Sequence, residues 1–277
     1  STGSISFDAT TFEFFGMLLN GGKLVLCTQH TLLNPDLLIS LIRSEKTDVI
    51  FLTTGWFNQL VETSIELFST LTTVLAGGEK LSLHYVHTLR NRYPELKINN
   101  IYGPTENTTF STYYEFPQDS SLISSTPIGV PIGNSTAYIL REGLHLVPIG
   151  VEGEICVGGA GVARGYLNNP TLTTEKFVKN PYLEGDRLYR TGDIGKWLSD
   201  GNIEFIGRKD SQIKLRGYRI ELTEIEDVLL KHEDINQCVL IVREDVHGQK
   251  ELVCYLVSSE DLNIESIRSY LSLHLPE

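Results

Sequence analysis

Apolar and polar positions follow three different patterns along the chain. In the first, aromatic and apolar residues recur at helical spacing over residues 10–19. Gly21 and Gly22 then stop the helix, because glycine accepts the left-handed backbone of a helix end. A strand over 23–27 follows. Asn34, Pro35 and Asp36 open a helix running to Glu45, and a strand at 48–53, a short helix at 56–62 and a strand at 73–76 come next. A helix over 81–92 leads to a strand at 97–101. Strands and helices alternating at this spacing predict parallel strands joined by helical crossovers, with ligands at the carboxyl ends of the strands.

After about Pro117 the pattern changes to short strand-like runs broken by Gly and Pro, at 137–141, 153–157, 187–189, 195–198 and 202–206. Such runs predict a small distorted β-barrel. A third pattern begins near Asp210. Thr223 and Glu226 form a capping-box signature ahead of Ile225, Val228 and Leu229, and strands at 237–243 and 251–257 with a helix at 264–273 complete a small α+β unit. The expected fold is therefore an α/β parallel sheet over 1–117, a β-barrel over 118–209 and a mobile α+β subdomain over 210–277.

Composition narrows the function. The 277 residues suit more than one unit, and 41% hydrophobic with 21% charged residues is ordinary for a globular chain. A formal charge of -12 argues against a nucleic-acid partner, and no apolar run reaches membrane-spanning length. Cys27, Cys156, Cys238 and Cys254 stand singly in apolar runs without metal spacing, which predicts reduced core thiols in a cytoplasmic protein. Ser1 opens in mid-pattern and Met17 is the only methionine, so the chain reads as an excerpt of a longer polypeptide.

Several clusters could carry chemistry. The glycine-rich stretch 158–165 lacks the Lys-Ser/Thr of a phosphate loop and has Arg164 where a dinucleotide turn needs its third glycine, so it reads as a structural loop. Gly103 and Pro104 force a turn after a strand. They present Tyr102 as a flat face for a purine, Thr105 as a hydroxyl for phosphate and Glu106 as a hard oxygen ligand suited to magnesium, although a solvated turn Glu would look the same. Gly77, Gly78 and Glu79 follow another strand. Asp193 is either a turn residue or a carboxylate that accepts both ribose hydroxyls. Arg208, Lys209, Lys214, Arg216 and Arg219 make a basic island, a solvated face or a phosphate clamp. Asp8, among Phe7, Phe12, Phe14 and Phe15, is either a helix cap or a fixed anion awaiting an ammonium group.

Taken in order, five segments resemble the adenylation domains of nonribosomal peptide synthetases, within the adenylate-forming enzymes. They are Phe7-Asp8-Ala9-Thr10; Asn100-Ile101-Tyr102-Gly103-Pro104-Thr105-Glu106; Gly153-Glu154-Ile155-Cys156-Val157-Gly158-Gly159 with Ala163-Arg164-Gly165-Tyr166-Leu167; Tyr189-Arg190-Thr191-Gly192-Asp193; and Gly207-Arg208-Lys209-Asp210 with Lys214 to Glu221. The resemblance implies a two-step reaction with MgATP. An amino acid becomes an aminoacyl-adenylate with release of pyrophosphate, and the acyl group then passes to the phosphopantetheine thiol of a peptidyl carrier domain in the same polypeptide, as in antibiotic biosynthesis.

The resemblance also assigns roles. Tyr102 stacks on adenine, bordered by Asn100, Gly77, Gly78, Glu79 and Phe205. Thr105 and Glu106 face phosphate and magnesium, and Asp193 and Arg208 hold the ribose. Asp210 is the hinge, and Lys214 lies on a loop that swings with it. Asp8 binds the substrate ammonium, and Ala9, Phe12, Phe51, Leu75, Gly77, Ile101, Thr109 and Phe110 line an uncharged pocket. Small Ala9 and Gly77 leave depth there, which suits isoleucine first and then valine or leucine. The family's lysine-bearing phosphate loop and C-terminal lysine are not within these residues, so residues 1–277 alone are expected not to complete adenylation. An acyl-CoA ligase and a silent nucleotide-binding module are the alternative readings.

Overall fold

The computed structural model describes residues 1–209, 212–215, 218–244, 250–258 and 263–275. The chain divides into two compact units, Ser1–Lys209 and Asp210–Glu277.

The larger unit begins with α1 (Ala9–Thr11), which runs on into a π-helical stretch at Phe12–Gly16. Glu13 in that stretch is buried, and its carboxylate collects the Thr2 and Gly3 amides and the Ser1 and Thr2 hydroxyls. Residues 23–27, expected as a strand, pair with no strand among the described residues; an apolar run becomes a strand only where a neighbour supplies the ladder. After α2 (Gln29–Leu32) comes α3 (Pro35–Ser44). It starts where it does because the Asn34 side chain accepts the Asp36 and Leu37 amides while Pro35 takes the first turn, where its missing N–H costs nothing.

β1 (Val49–Thr53), α4 (Thr54–Thr63), β2 (Thr73–Gly77), α5 (Leu83–Arg92) and β3 (Lys97–Tyr102) follow in alternation, and the three strands pair in parallel. One face of this sheet, with Ile50, Leu52, Val74 and Ile98, packs with Leu38, Phe57 and Leu89 into the main core. The neighbouring register positions Phe51, Leu75, Gly77 and Ile101 lie on the other face. The sheet is mixed: β4 (Thr112–Glu115) and β5 (Val130–Pro131) extend it antiparallel beyond β3.

The second half of this unit is a curled antiparallel sheet, half a barrel. It comprises β6 (Ser135–Arg141), β7 (His145–Leu146), β8 (Gly153–Gly159), β9 (Phe177–Lys179) after the short α6 (Pro170–Lys176), β10 (Arg187–Trp197) and β11 (Ile203–Arg208), in the order β11-β10-β8-β6-β7 with β9 beside β10. Its apolar residues, among them Ile139, Ile155, Val157 and Ile203, form a second core. The two runs expected at 187–189 and 195–198 are one strand. Its pairing with β8 breaks between Arg190 and Ile194, where Gly192 has φ +76°, and this bulge made one strand look like two.

The smaller unit has a hairpin of β12 (Gln212–Leu215) and β13 (Tyr218–Glu221), then α7 (Leu222–Leu229), a second hairpin of β14 (Ile235–Glu244) and β15 (Lys250–Ser258), and α8 (Ile264–His274). Leu229, Leu240 and Ile267 form its core. The capping box is not realised. The helix begins at Leu222, which places Thr223 inside it, and Glu226 accepts the Leu240 amide at 2.8 Å instead. Of the four cysteines Cys156 is fully buried, but Cys254 is exposed, because a two-stranded sheet leaves much of its surface open.

Candidate active site

The carboxyl ends of β2 and β3 carry residues that the sequence singles out, and the end of β1 adds one that it does not. Thr54, immediately after β1, donates from its hydroxyl to the Gly77 and Glu79 carbonyls at 3.2 and 3.0 Å and accepts the Glu79 amide at 3.3 Å. It pins the turn over which Gly78 takes φ +96°. Gly77 owes its lack of a side chain to packing as well as to any pocket: a Cβ there would lie 2.2 Å from the Ile101 carbonyl oxygen.

At the end of β3, Tyr102 is 8% exposed and donates from its hydroxyl to Asp193 Oδ2 at 2.5 Å. Asp193, 3% exposed, receives Arg208 Nη1 on its other oxygen at 2.6 Å. The β10 bulge aims this carboxylate inward, and Thr191 secures it by accepting the Asp193 amide while donating to the Ile155 carbonyl. Burial first, and the Asp193 carboxylate next, raise the Tyr102 phenol well above its ordinary range. Phe205 packs beside it with ring centroids 6.4 Å apart. Asn100 is buried, with its amide donating to the Pro127 carbonyl at 2.7 Å.

The turn after Gly103 is a single 3-10 turn at Thr105–Asn107, with Thr105 exposed and Glu106 half-buried. Glu106 Oε1 accepts two phenols, Tyr166 at 2.7 Å and Tyr189 at 2.8 Å. Burial, the other phenol and the Glu106 carboxylate together push the Tyr166 hydroxyl far above the usual range, so it stays a donor. A resident metal cage needs several ligands, whereas Glu106 offers one hard oxygen ligand. That is the donor set a nucleotide-borne magnesium uses, because phosphate oxygens and waters complete its shell.

Part of the set expected around the amino acid is brought together. Phe110 lies between Phe12 and Phe51, with centroids 5.2 and 5.5 Å away. Thr109, held at φ +69°, donates from its hydroxyl to the Asp8 carbonyl at 2.9 Å, tying Asp8 to the loop that carries Glu106. Leu75, Gly77 and Ile101 share the sheet face of Phe51, and Ala9 follows Asp8 on α1. Asp8 does not cap the helix: its backbone is helical, its side chain makes no cap bond, and among the described residues the carboxylate has no ion-pair partner.

Other expectations change. The basic island is divided between the two units: Arg208 turns in to Asp193 in the larger one, while Lys214 and Arg219 are register partners in the β12–β13 hairpin of the smaller one. Lys214 is therefore in a strand rather than a loop, and its side chain, like all of Asp210, Arg216 and Gly217, lies outside the described residues. Sequence reasoning missed Thr54, Tyr166, Tyr189 and the Glu154–Arg190 pair, closed at 2.7 Å with the Gly192 amide on the same carboxylate. Four of these residues, Glu154, Tyr166, Tyr189 and Arg190, stand inside the five motif segments; Thr54 was visible only as a hydroxyl at the end of a strand.

The profile of the AMP-binding enzyme family matches residues 1–167. The chain is 46% identical over 275 residues to gramicidin S synthase 2 of Brevibacillus brevis, covering 99% of this chain and 6% of that protein. It is 47% identical over 275 residues to tyrocidine synthase 3 of Brevibacillus parabrevis, covering 99% and 4%. The solved structure of PA1221, a nonribosomal peptide synthetase protein containing adenylation and PCP domains, superposes with a TM-score of 0.86 at 36% identity over 96% of this chain and 54% of that one. The chain thus spans a small fraction of the synthetases and about half of that structure. With more than half its length matching the family profile, the chain belongs to the AMP-binding enzymes.

Proposed function

We propose that this chain is the greater part of an adenylation domain that activates an apolar amino acid with MgATP and hands it to the phosphopantetheine thiol of a peptidyl carrier domain. The observation that carries the reading is the buried Tyr102–Asp193–Arg208 network at the carboxyl end of β3. Each Asp193 oxygen holds one protein donor and keeps a lone pair, which suits a ribose diol, and the tethered Tyr102 ring offers its face to adenine. In the reaction the amino acid carboxylate oxygen bonds to the α-phosphorus while the bond to the pyrophosphate oxygen breaks, so no protein nucleophile is needed. The chain's task is to align two anions. Asp8 takes the ammonium group, Thr105 donates to phosphate, Glu106 is the hard oxygen ligand, and Lys214 belongs to the second unit's share of the work. Magnesium, when it arrives with the triphosphate, supplies charge neutralisation.

The uncharged Phe12, Phe51, Leu75 and Phe110 walls favour a branched aliphatic side chain, isoleucine ahead of valine and leucine. One methylene is worth only about 1–3 kcal/mol, so neighbouring aliphatics are also accepted. The test is amino-acid-dependent ATP–pyrophosphate exchange in the full protein that carries this chain. Isoleucine should lead the panel, and Asp8→Asn should lower kcat/KM for the amino acid by about 10- to 100-fold, the worth of a charge-assisted bond, with the KM for ATP unchanged. A preference for a charged amino acid, or an Asp8→Asn variant with normal kcat/KM, would refute it.

A further inference from the structure

The glycine-rich stretch from Gly158 to Gly165 fits no phosphate loop, yet its backbone is built against the turn that carries Glu106. The Ala163 amide donates to the Glu106 carbonyl at 2.8 Å, and the Thr108 hydroxyl donates to the Gly161 carbonyl at 2.7 Å. A Cβ on Gly161 would stand 2.8 Å from the Asn107 carbonyl oxygen, so a side chain there would force the two backbones apart. Arg187 binds the Ala163 and Arg164 carbonyls at 2.7 and 3.1 Å. Gly165, at φ +147°, lets the chain turn close under Thr173, whose hydroxyl accepts the Tyr166 amide at 2.9 Å.

This brace delivers the Tyr166 phenol to Glu106 Oε1. Tyr189 reaches the same oxygen from β10, and the two hydroxyl oxygens stand 3.1 Å apart. Phe177 wedges both rings, with centroids 5.4 Å from Tyr166 and 5.1 Å from Tyr189. Two donors fill the lone pairs of one carboxylate oxygen and fix the plane of the group. We propose that Tyr166 and Tyr189 are positioning residues that hold the Glu106 carboxylate in the orientation in which it meets the magnesium–nucleotide, and that the glycine-rich stretch exists to bring Tyr166 there. The inference rests on the reading of Glu106 as that metal's protein ligand. Partners of this kind orient a metal ligand without touching the metal, and losing them weakens metal affinity by about 10- to 100-fold.

The experiment is a Mn²⁺ titration followed by electron paramagnetic resonance, in the full protein with a non-hydrolysable ATP analogue, on Tyr166→Phe, Tyr189→Phe, the double variant, Gly161→Ala and Glu106→Gln. The Mg²⁺ activation of pyrophosphate exchange and the Tm are measured alongside. Each single Tyr→Phe variant should weaken Mn²⁺ binding by about 10-fold and the double by up to about 100-fold. The KM for the amino acid should stay unchanged. Gly161→Ala should move the metal readout in the same direction. A merely structural role would lower Tm and leave the metal midpoint in place. A double variant that binds Mn²⁺ as the wild type does, while Glu106→Gln does not, overturns the positioning role. Normal Mn²⁺ binding by Glu106→Gln overturns the reading of Glu106 itself and the inference with it. Because Tyr166 is the less buried of the pair, Tyr166→Phe alone still decides the matter if the double variant does not fold.

Discussion

A carboxylate as deeply buried as Asp193 persists only where its charge is answered, and here a guanidinium and a phenol answer it on separate oxygens. The buried Cys156 shows how such a setting governs stability. Burial first, and Glu154 next, push its thiol from 9.0 up to about 12, against an opposing pull from Arg190. The unfolded thiol ionises near 9 while the folded one keeps its proton, so the unfolded state holds fewer protons as pH rises. The contribution of this thiol is therefore intact below pH 9 and is lost from about pH 9 to about 12, on the order of 4 kcal/mol for the group. Urea midpoints at pH 8 and 11 should show part of this loss, and Cys156→Ala should lessen the fall, leaving the share of the raised Tyr102 and Tyr166 phenols; an unchanged slope in the variant would assign the alkaline loss to other groups. At this scale Tyr102 and Glu106 were legible because they flank a forced turn at a strand end, and Asp193 because it follows a turn glycine. Tyr166 was not, because nothing in its neighbours tells a phenol aimed at a carboxylate from one packed in a core.

Among elements, close backbone approach sets the geometry. Gly103 ends β3, and a Cβ on it would lie 2.3 Å from the Thr109 carbonyl oxygen and 2.8 Å from the Phe110 Cα. Both contacts are with main chain, so Gly103→Ala must push the 109–110 loop away from the sheet. That loop carries the Thr109 bond to Asp8 and the Phe110 ring contacts, while the Tyr102–Asp193 bond starts from the strand itself. Gly103→Ala should therefore raise the KM for the amino acid by about 10-fold or more, as a displacement of reacting groups by an ångström does. The KM for ATP should change much less, and an equal rise in both constants would contradict this division. The parallel core strands and their crossover helices were readable from sequence because apolar runs of strand length alternate with capped amphipathic helices, as at Asn34 and α3. β4 and the two-residue β5 were not, since strands that short acquire their identity from the edge they join. Residues 23–27 fail in the opposite sense, with the right composition but no partner.

On the scale of the molecule, the proposed reading has a chain with net charge -12 take up a polyanion against its own field, so the opposing charge has to be answered locally where the nucleotide is proposed to sit. The described candidates, Tyr102, Glu106, Asp193 and Arg208, with the turn at Gly77 to Glu79, all belong to Ser1–Lys209. The two changes of sequence pattern were visible because the hydrophobic period itself changes along the chain. The meeting of β3, β10 and β11 at one place was visible only through the family resemblance and not from the pattern itself, because 91 residues separate Tyr102 from Asp193 and only the fold closes that distance. Nucleotide binding should therefore protect amides at three separated stretches of one unit. At 100 times its Kd, a ligand stabilises the state it binds by about 2.7 kcal/mol, which slows amides exchanging through unfolding of that state about 100-fold. Hydrogen exchange read by mass spectrometry with a non-hydrolysable ATP analogue should show the slowing in peptides covering residues 73–79, 97–106 and 187–208. Protection in only one of the three, or confined to residues 212–275, would mean that these residues do not act as one nucleotide site.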